Sequence, residues 1–299
     1  MNLPFLTAED VAARLDFRAA ADALEATLAG GLDPEAEAAR TILQVGAGDL
    51  LVMPSVAGGH ATVKLVTVGG QPRIQGICVV FDSGSLAPVA LIDGVALTVL
   101  RTAAVSLLAI RLLAPREATR AVIFGNGPQA HAHARALPSI RPITHTALIT
   151  RGGQVYESQP QRGQVQKSQQ SPESLVAAAD IICCCTTARE PLFDGATVSD
   201  QTTVVAIGSH ERAARETDDA LARRATVVVE SRASALSEAG DLLAAIDSGA
   251  LRADALVTFA DLVTGRARVD PARPRLFKST GMAWEDAAVA AALVRSGRG

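Results

Sequence analysis

Five short apolar segments constrain this chain more than any other feature: RAVIFG, HTALIT, DIICCCT, TVVAIG and TVVVES, all between residues 120 and 231. Each is apolar without alternation and is separated from the next by helical or loop sequence long enough for a crossover. A strand that is apolar on both faces is buried on both faces, and such strands belong to parallel sheets covered by helices. The spacing predicts a doubly wound α/β domain over residues 116–275. One stretch breaks the pattern. Residues 152–171, GGQVYESQPQRGQVQKSQQS, are rich in Gln and Ser, with almost no apolar period, where a doubly wound domain normally places a helix. That composition predicts a frayed helix or a mobile surface loop.

Upstream the patterning changes. LTAEDVAARL carries Thr7 and Asp10 at capping-box spacing, and FRAAADALEATLAGG reads as a second helix ending at its glycines. LLVMPSV, ATVKLVTV, IQGICVVFD and PVALIDG are short, β-rich and punctuated by Gly, Pro, Asp or Ser, the signature of an antiparallel meander. VALTVLRTAAVSLLAIRLL, residues 95–113, predicts a helix buried on most sides. LFKSTGMAWEDAAVAAALVRSG reads as a strand end and a helix that leave the parallel sheet and pack back on the first domain. The expected organisation is therefore an α+β domain, residues 1–115 rejoined by 276–299, beside the α/β domain of residues 116–275.

The charge pattern narrows the partners. Net charge is −3, and no basic block or basic–aromatic stripe stands out, so nucleic acid is not an expected partner. No uninterrupted apolar run is long enough to span a bilayer, and MNLPFLTAED lacks a basic region followed by an apolar one, so neither membrane association nor a signal peptide is expected. The four cysteines are Cys78 and the run Cys183, Cys184, Cys185. Adjacent cysteines in a strand face opposite ways and cannot close a metal site, so reduced thiols in a cytoplasmic protein are expected.

The first apolar strand of the α/β domain runs into GNGPQA, residues 125–130, which fits G-x-G-x-x-G/A between a strand and a helix. Gly125 allows the tight turn, Gly127 lets backbone approach a pyrophosphate, and Ala130 permits close helix–strand packing. Pro128 and Gln129 open the helix whose unpaired N–H groups and positive dipole end face the phosphates. At the end of the next strand an acid would hold the ribose 2′-hydroxyl of NAD; Thr150 and Arg151 stand there instead. A planar guanidinium suits a 2′-phosphate, so NADP(H) is the preferred cofactor and NAD(H) the alternative. Thr186, the last residue of DIICCCT, is counted with the cofactor site. His131 and His133, two apart on the following helix, do not share a face; both read as helix-surface or packing residues, and no metal site is expected.

Three cations lie in apolar surroundings. Arg101 has Leu97 and Val105 as its i−4 and i+4 neighbours, Lys64 lies mid-strand on one face with Thr62 and Val66, and Arg40 precedes the first strand. Few acids are placed by sequence spacing to pair with them. A buried cation is costly unless paired, and the trio would make a receptor for a carboxylate, with an arginine for bidentate orientation.

RTILQVGAGDLLVMPSV, VKLVTV, IQGICVVFDSGSLAPVALIDGVALTVLRTAAVSLLA, VIFGNGPQAHAH, EAGDLL and LFKSTGMAWED together resemble the ornithine cyclodeaminase/mu-crystallin family, from about residue 35 onward. The resemblance implies a Rossmann-type dinucleotide domain, a substrate-binding and dimerisation domain, and a homodimer. It implies that Arg40, Lys64 and Arg101 bind the substrate carboxylate, that Lys64 is also a proton donor or polarising group, and that Thr102 lies beside the nicotinamide. The cyclodeaminase carries a catalytic Asp after the strand corresponding to VVAIG; this chain has His210 there, in AIGSHERAARE. Histidine can still move a proton, but loss of the acid argues against deamination. Similar GSH loops occur in family members that reduce Δ1-pyrroline-2-carboxylate. The expected activity is NAD(P)H-dependent reduction of a small cyclic imino acid, Δ1-pyrroline-2-carboxylate to L-proline or its six-membered homologue to L-pipecolate. Its rivals are ornithine cyclodeamination, an alanine-dehydrogenase-like reaction, and ligand binding without turnover, as in mu-crystallin.

Overall fold

A computed structural model describes residues 3–159 and 164–297. The chain divides into two compact units, residues 1–105 with 282–299 and residues 106–281.

The first unit is built on a six-stranded sheet: β1 (Phe5–Leu6), β2 (Thr41–Val45), β3 (Gly48–Ala57), β4 (His60–Val68), β5 (Ile74–Asp82) and β6 (Pro88–Asp93), in the order β1-β6-β5-β4-β3-β2. The meander β2 to β6 is antiparallel throughout, and β1 adds in parallel to β6. Period-two burial along β3 and β4 gives the sheet a covered and an open face. The helix Ala283–Ser296 covers the first, packing on β3 and β4. Its alanines bring it close to the strands, and it is buried almost all round. The helices Ala8–Arg14 and Phe17–Ala29 start as expected, the first with Thr7 and Asp10 in a complete capping box.

The helix Gly94–Leu113 is long and apolar enough to cross a membrane by length and composition, despite Arg101 and Arg111 inside it. Most of it is buried in the fold, as a core helix is. Its last residues belong to the second unit, where Arg141 donates to the carbonyls of Ile110, Arg111, Ala114 and Pro115. One guanidinium thus satisfies acceptors that every helix C-terminus leaves without a partner.

In the second unit, β7 (Arg120–Phe124), β8 (His145–Ile149), β11 (Ile181–Cys184), β12 (Thr203–Ala206), β13 (Thr226–Val229), β14 (Val257–Thr258) and β15 (Arg275–Lys278) are parallel, and β9 (Val155–Gln159) and β10 (Gln164–Lys167) form an antiparallel hairpin at one edge. The order is β10-β9-β8-β7-β11-β12-β15-β13-β14. The five predicted strands are all present.

Three expectations need correction. The Gln/Ser-rich stretch is the hairpin β9–β10 rather than a frayed helix or loop; residues 160–163 lie outside the described residues. Alternating polar chains suit an edge ladder, where one face is wet. Residues 275–278, expected to leave the parallel sheet, insert into it between β12 and β13. Their side chains are all buried, which an edge or an exit could not provide. The units divide at residues 105/106 and 281/282 rather than 115/116 and 275/276, the second bound moved by the inserted strand.

Candidate active site

In the first unit, Lys64 stands at the centre of the covered sheet face. It is registered with Met53 on one side and Cys78 on the other, and it is 1% exposed. The ammonium reaches both carboxylate oxygens of Asp286, at 2.8 and 2.7 Å. Arg101 reaches Glu285 through Nη1 at 2.5 Å and Asp286 through Nε at 3.2 Å. Both acids lie in the first turn of the helix Ala283–Ser296 and are fully buried. Sequence spacing offered no partners because the acids are about two hundred residues away along the chain, supplied by a helix that crosses the sheet. The available signal was the pair Glu285–Asp286 in a helix with no polar face, which helix-dipole logic alone accounts for as acids in a first turn.

Burial pushes the Lys64 ammonium down to about 8, opposed by the Asp286 carboxylate and reinforced by the nearby Arg101. Cys78 is pushed up to about 12 by burial and by Asp286, so its thiol is inert at neutral pH. A buried ion cluster contributes little net stability compared with apolar side chains of the same volume. Four charges at the core of this unit are therefore better explained by a task than by the fold's own needs. Arg40 is half-buried, one residue before Thr41, which pairs with Val52; Lys64 pairs with the next residue of β3, Met53. By that register Arg40 and Lys64 flank Met53 on the same stretch of sheet. Thr102 follows Arg101 and is 6% exposed.

In the second unit, the sheet order reverses at β7, with β8 on one side and β11 on the other. Open α/β sheets bind ligands at such a switch point, outside the carboxyl ends of the strands. Gly125 follows β7 with φ of 121°, and a Cβ on it would meet the Cys185 carbonyl oxygen at 2.5 Å. Gly127 is the N-cap of the helix Pro128–Ala136; it supplies no side-chain cap, and a Cβ there would meet nothing within 4 Å. A helix start that is open, uncapped and reached through a left-handed glycine fits a dinucleotide pyrophosphate. Ala130 is fully buried. Behind it, His133 lies between the Gln129 carbonyl and the Ser106 hydroxyl, both at 2.8 Å, and burial pushes it down to about 4. It is a packing residue; His131 is exposed.

The other candidates follow along the same edge. Thr150 closes a turn after β8, accepting through its hydroxyl from the Gln154 N–H, and Arg151 beside it is exposed. Thr186 lies beyond β11, and His210 beyond β12 is partly exposed. Beneath them is a set that sequence reasoning missed. Glu216 accepts from Thr186 N and Oγ1 and from Gly208 N, while Asp241 accepts from Glu216 N and Thr217 N and pairs with Lys278. Burial holds Glu216 above the usual carboxylate range, partly offset by the Lys278 charge. A separate cleft in this unit, lined by Arg120, His145, Glu157, Gln166 and Gln170, opens near the amino ends of β7 and β8, away from the glycine turn.

Residues 2–297 match the model of the ornithine cyclodeaminase/mu-crystallin family. The chain is 34% identical over 257 residues to the Δ1-pyrroline-2-carboxylate reductase of Bacillus cereus, covering 80% of this chain and 79% of that one. It is 34% identical over 268 residues to the ketimine reductase mu-crystallin of Mus musculus, covering 85% and 83%. The structure superposes on Thermococcus litoralis Δ1-pyrroline-2-carboxylate reductase, solved with NADH and L-proline, with a TM-score of 0.88 and 25% identity, over 99% of this chain and 98% of that one.

Proposed function

The chain belongs to the ornithine cyclodeaminase/mu-crystallin family, and from that premise we propose that it is an NAD(P)H-dependent reductase of small cyclic imino acids, turning Δ1-pyrroline-2-carboxylate into L-proline. The observation that carries the reading is Lys64, a buried lysine held near pKa 8 at the centre of a sheet face beside a second buried cation. Arg40, Lys64 and Arg101 take the substrate carboxylate. Glu285 and Asp286 hold Lys64 and Arg101 in place, so little of their side-chain freedom is left to lose on binding. The ammonium donates one hydrogen bond to Asp286 Oδ1 and stands 2.7 Å from Oδ2 as an ion-pair contact, so its three N–H donors are not all taken by this carboxylate.

The nicotinamide dinucleotide, when bound, supplies the hydride that adds to the imine carbon. Gly125, Gly127, Pro128, Gln129 and Ala130 shape the turn that takes its pyrophosphate; Thr102 and Thr186 complete the cofactor set. As carbon gains hydride, the ring nitrogen becomes basic, and Lys64 gives it the proton that completes the CH–NH bond. His210 is the second proton-carrying group. Arg151, exposed where an acid would select NAD, favours NADP(H). The absence of an acid at position 210 disfavours the deaminase.

The test is NADPH and NADH oxidation with the five- and six-membered imines in parallel. Turnover of the five-membered ring, faster with NADPH, is expected. No turnover with cofactor bound overturns the reading, and ammonia release from L-ornithine without net NADH replaces it with the lyase.

The open face of the first sheet supports a homodimer. Phe5, Leu43, Val45, Val56 and Ile77 are exposed, and across the strands Ile77 is registered with Leu65 and Leu65 with Val52. A monomer rarely leaves so continuous an apolar surface in water. Light scattering is expected to give twice the chain mass, and Ile77→Asp to halve it; a wild-type monomer sinks the proposal.

A further inference from the structure

The loop from Ile207 to Thr217 contains neither strand nor helix, yet it is anchored along its length. At its start the Gly208 N–H donates to Glu216 Oε2 at 2.7 Å, and the Ser209 carbonyl accepts from Lys278 Nζ at 2.9 Å. In its middle the Ser209 hydroxyl takes the Glu211 N–H, and Arg212 donates to the Ser237 carbonyl. At its end the N–H groups of Glu216 and Thr217 both enter Asp241 Oδ1, at 2.6 and 2.8 Å. Two glycines allow the close fit. A Cβ on Gly208 would stand 2.0 Å from the Thr186 carbonyl, and one on Gly240 would stand 2.2 Å from the Ala214 carbonyl.

Three buried ionisable groups supply the anchors at its two ends. Lys278 and Asp241 are 1% exposed and paired at 2.9 Å, and Glu216 is fully buried. None of them faces solvent, and the chemistry proposed above uses none of them. Glu216 spans two strand ends, one oxygen on Thr186 beyond β11 and the other on Gly208 beyond β12. Lys278, at the end of β15, reaches the residue just before His210. Buried charges of this kind are expensive to keep and gain little for stability; here each of the three groups makes at least one contact with the same loop.

We propose that Lys278, Asp241 and Glu216 form a positioning network that fixes the carboxyl-end loops carrying Thr186 and His210. Lys278 holds the Ser209 carbonyl and so sets the direction in which the next residue, His210, leaves the backbone. Glu216 sets the spacing between the cofactor residue Thr186 and that same loop. The inference rests on the reading of His210 as a group that acts on the bound substrate.

Three variants test it. Lys278→Met combined with Asp241→Asn removes both charges together, so neither is left buried alone. Glu216→Gln keeps the shape but turns one acceptor into a donor facing an N–H. Lys278→Arg is the conservative control. In cofactor-free protein, amide exchange over residues 207–217 is expected to speed up by at least about tenfold in the paired variant and in Glu216→Gln, with β7 amides unchanged. With substrate, kcat should fall about tenfold to a hundredfold at unchanged KM, since small misplacement of a catalytic group costs that much. Lys278→Arg should recover part of it. In a His210→Ala background the paired variant should cause no further loss. Unchanged exchange in the loop overturns the network. Losses that multiply with His210→Ala overturn its action through His210. Wild-type turnover in His210→Ala alone overturns the role given to His210, while the exchange result still decides whether the loop is anchored.

Discussion

Lys64→Met is expected to lower kcat/KM for Δ1-pyrroline-2-carboxylate by about a thousandfold, the range in which a positioned proton donor contributes. The protein should still fold, because Asp286 keeps Arg101 Nε at 3.2 Å and is not left alone in the core. The pH profile identifies the role. Burial lowers the Lys64 pKa to about 8, so in free enzyme the ammonium is present below that value and lost above it. kcat/KM should therefore be level below pH 8 and fall tenfold per unit above it, with Lys64→Met lacking this limb. A Lys64→Met enzyme that keeps the alkaline limb, or loses less than about tenfold in rate, would remove Lys64 from the proton-transfer step.

A second large effect separates the two glycines of the turn. Gly125→Ala places a methyl 2.5 Å from the Cys185 carbonyl at a φ of 121°. Backbone, not a movable side chain, stands in the way, so a loss of about 3 kcal/mol is expected. For a unit of this size that lowers Tm by about 6–12 °C. Gly127→Ala meets nothing within 4 Å and should leave Tm near wild type. The added methyl instead occupies space that a pyrophosphate needs, and dinucleotide affinity should fall by about tenfold or more. Calorimetric melting and fluorescence titration with NADPH check both. Equal effects of the two changes on melting would show that the turn is not built as described.

The fold was largely legible because burial leaves local marks. Strands buried on both faces read as unbroken apolar runs, the half-buried meander alternates, and Thr7 announces its helix by the acid three residues on. The candidate site was legible only in part. Arg40, Lys64 and Arg101 stood out as cations in apolar sequence, and GNGPQA by its glycines. Their supports did not stand out. Glu285 and Asp286 meet their partners across the fold, and nothing within a strand or helix repeat records a contact that distant. Glu216 lies in a loop whose shape comes from backbone hydrogen bonds to buried acids, which apolar periodicity cannot encode. The hairpin β9–β10 was missed for the opposite reason: a strand that buries little has almost no apolar pattern to display.

The place of β15 bears on how the protein comes into being. Residues 275–278 fill the gap between β12 and β13, and residues 283–296 cover the first sheet and carry the acids of Lys64 and Arg101. A nascent chain that has emerged only as far as residue 270 has an open seam in the middle of one sheet and an uncovered face on the other. Both units must therefore wait for the same late stretch, and neither can complete its fold before residues 275–296 have emerged. Long-range strand pairing of this kind is slow and leaves apolar edges open meanwhile, so the protein's demand on chaperones should be greatest until that stretch has emerged.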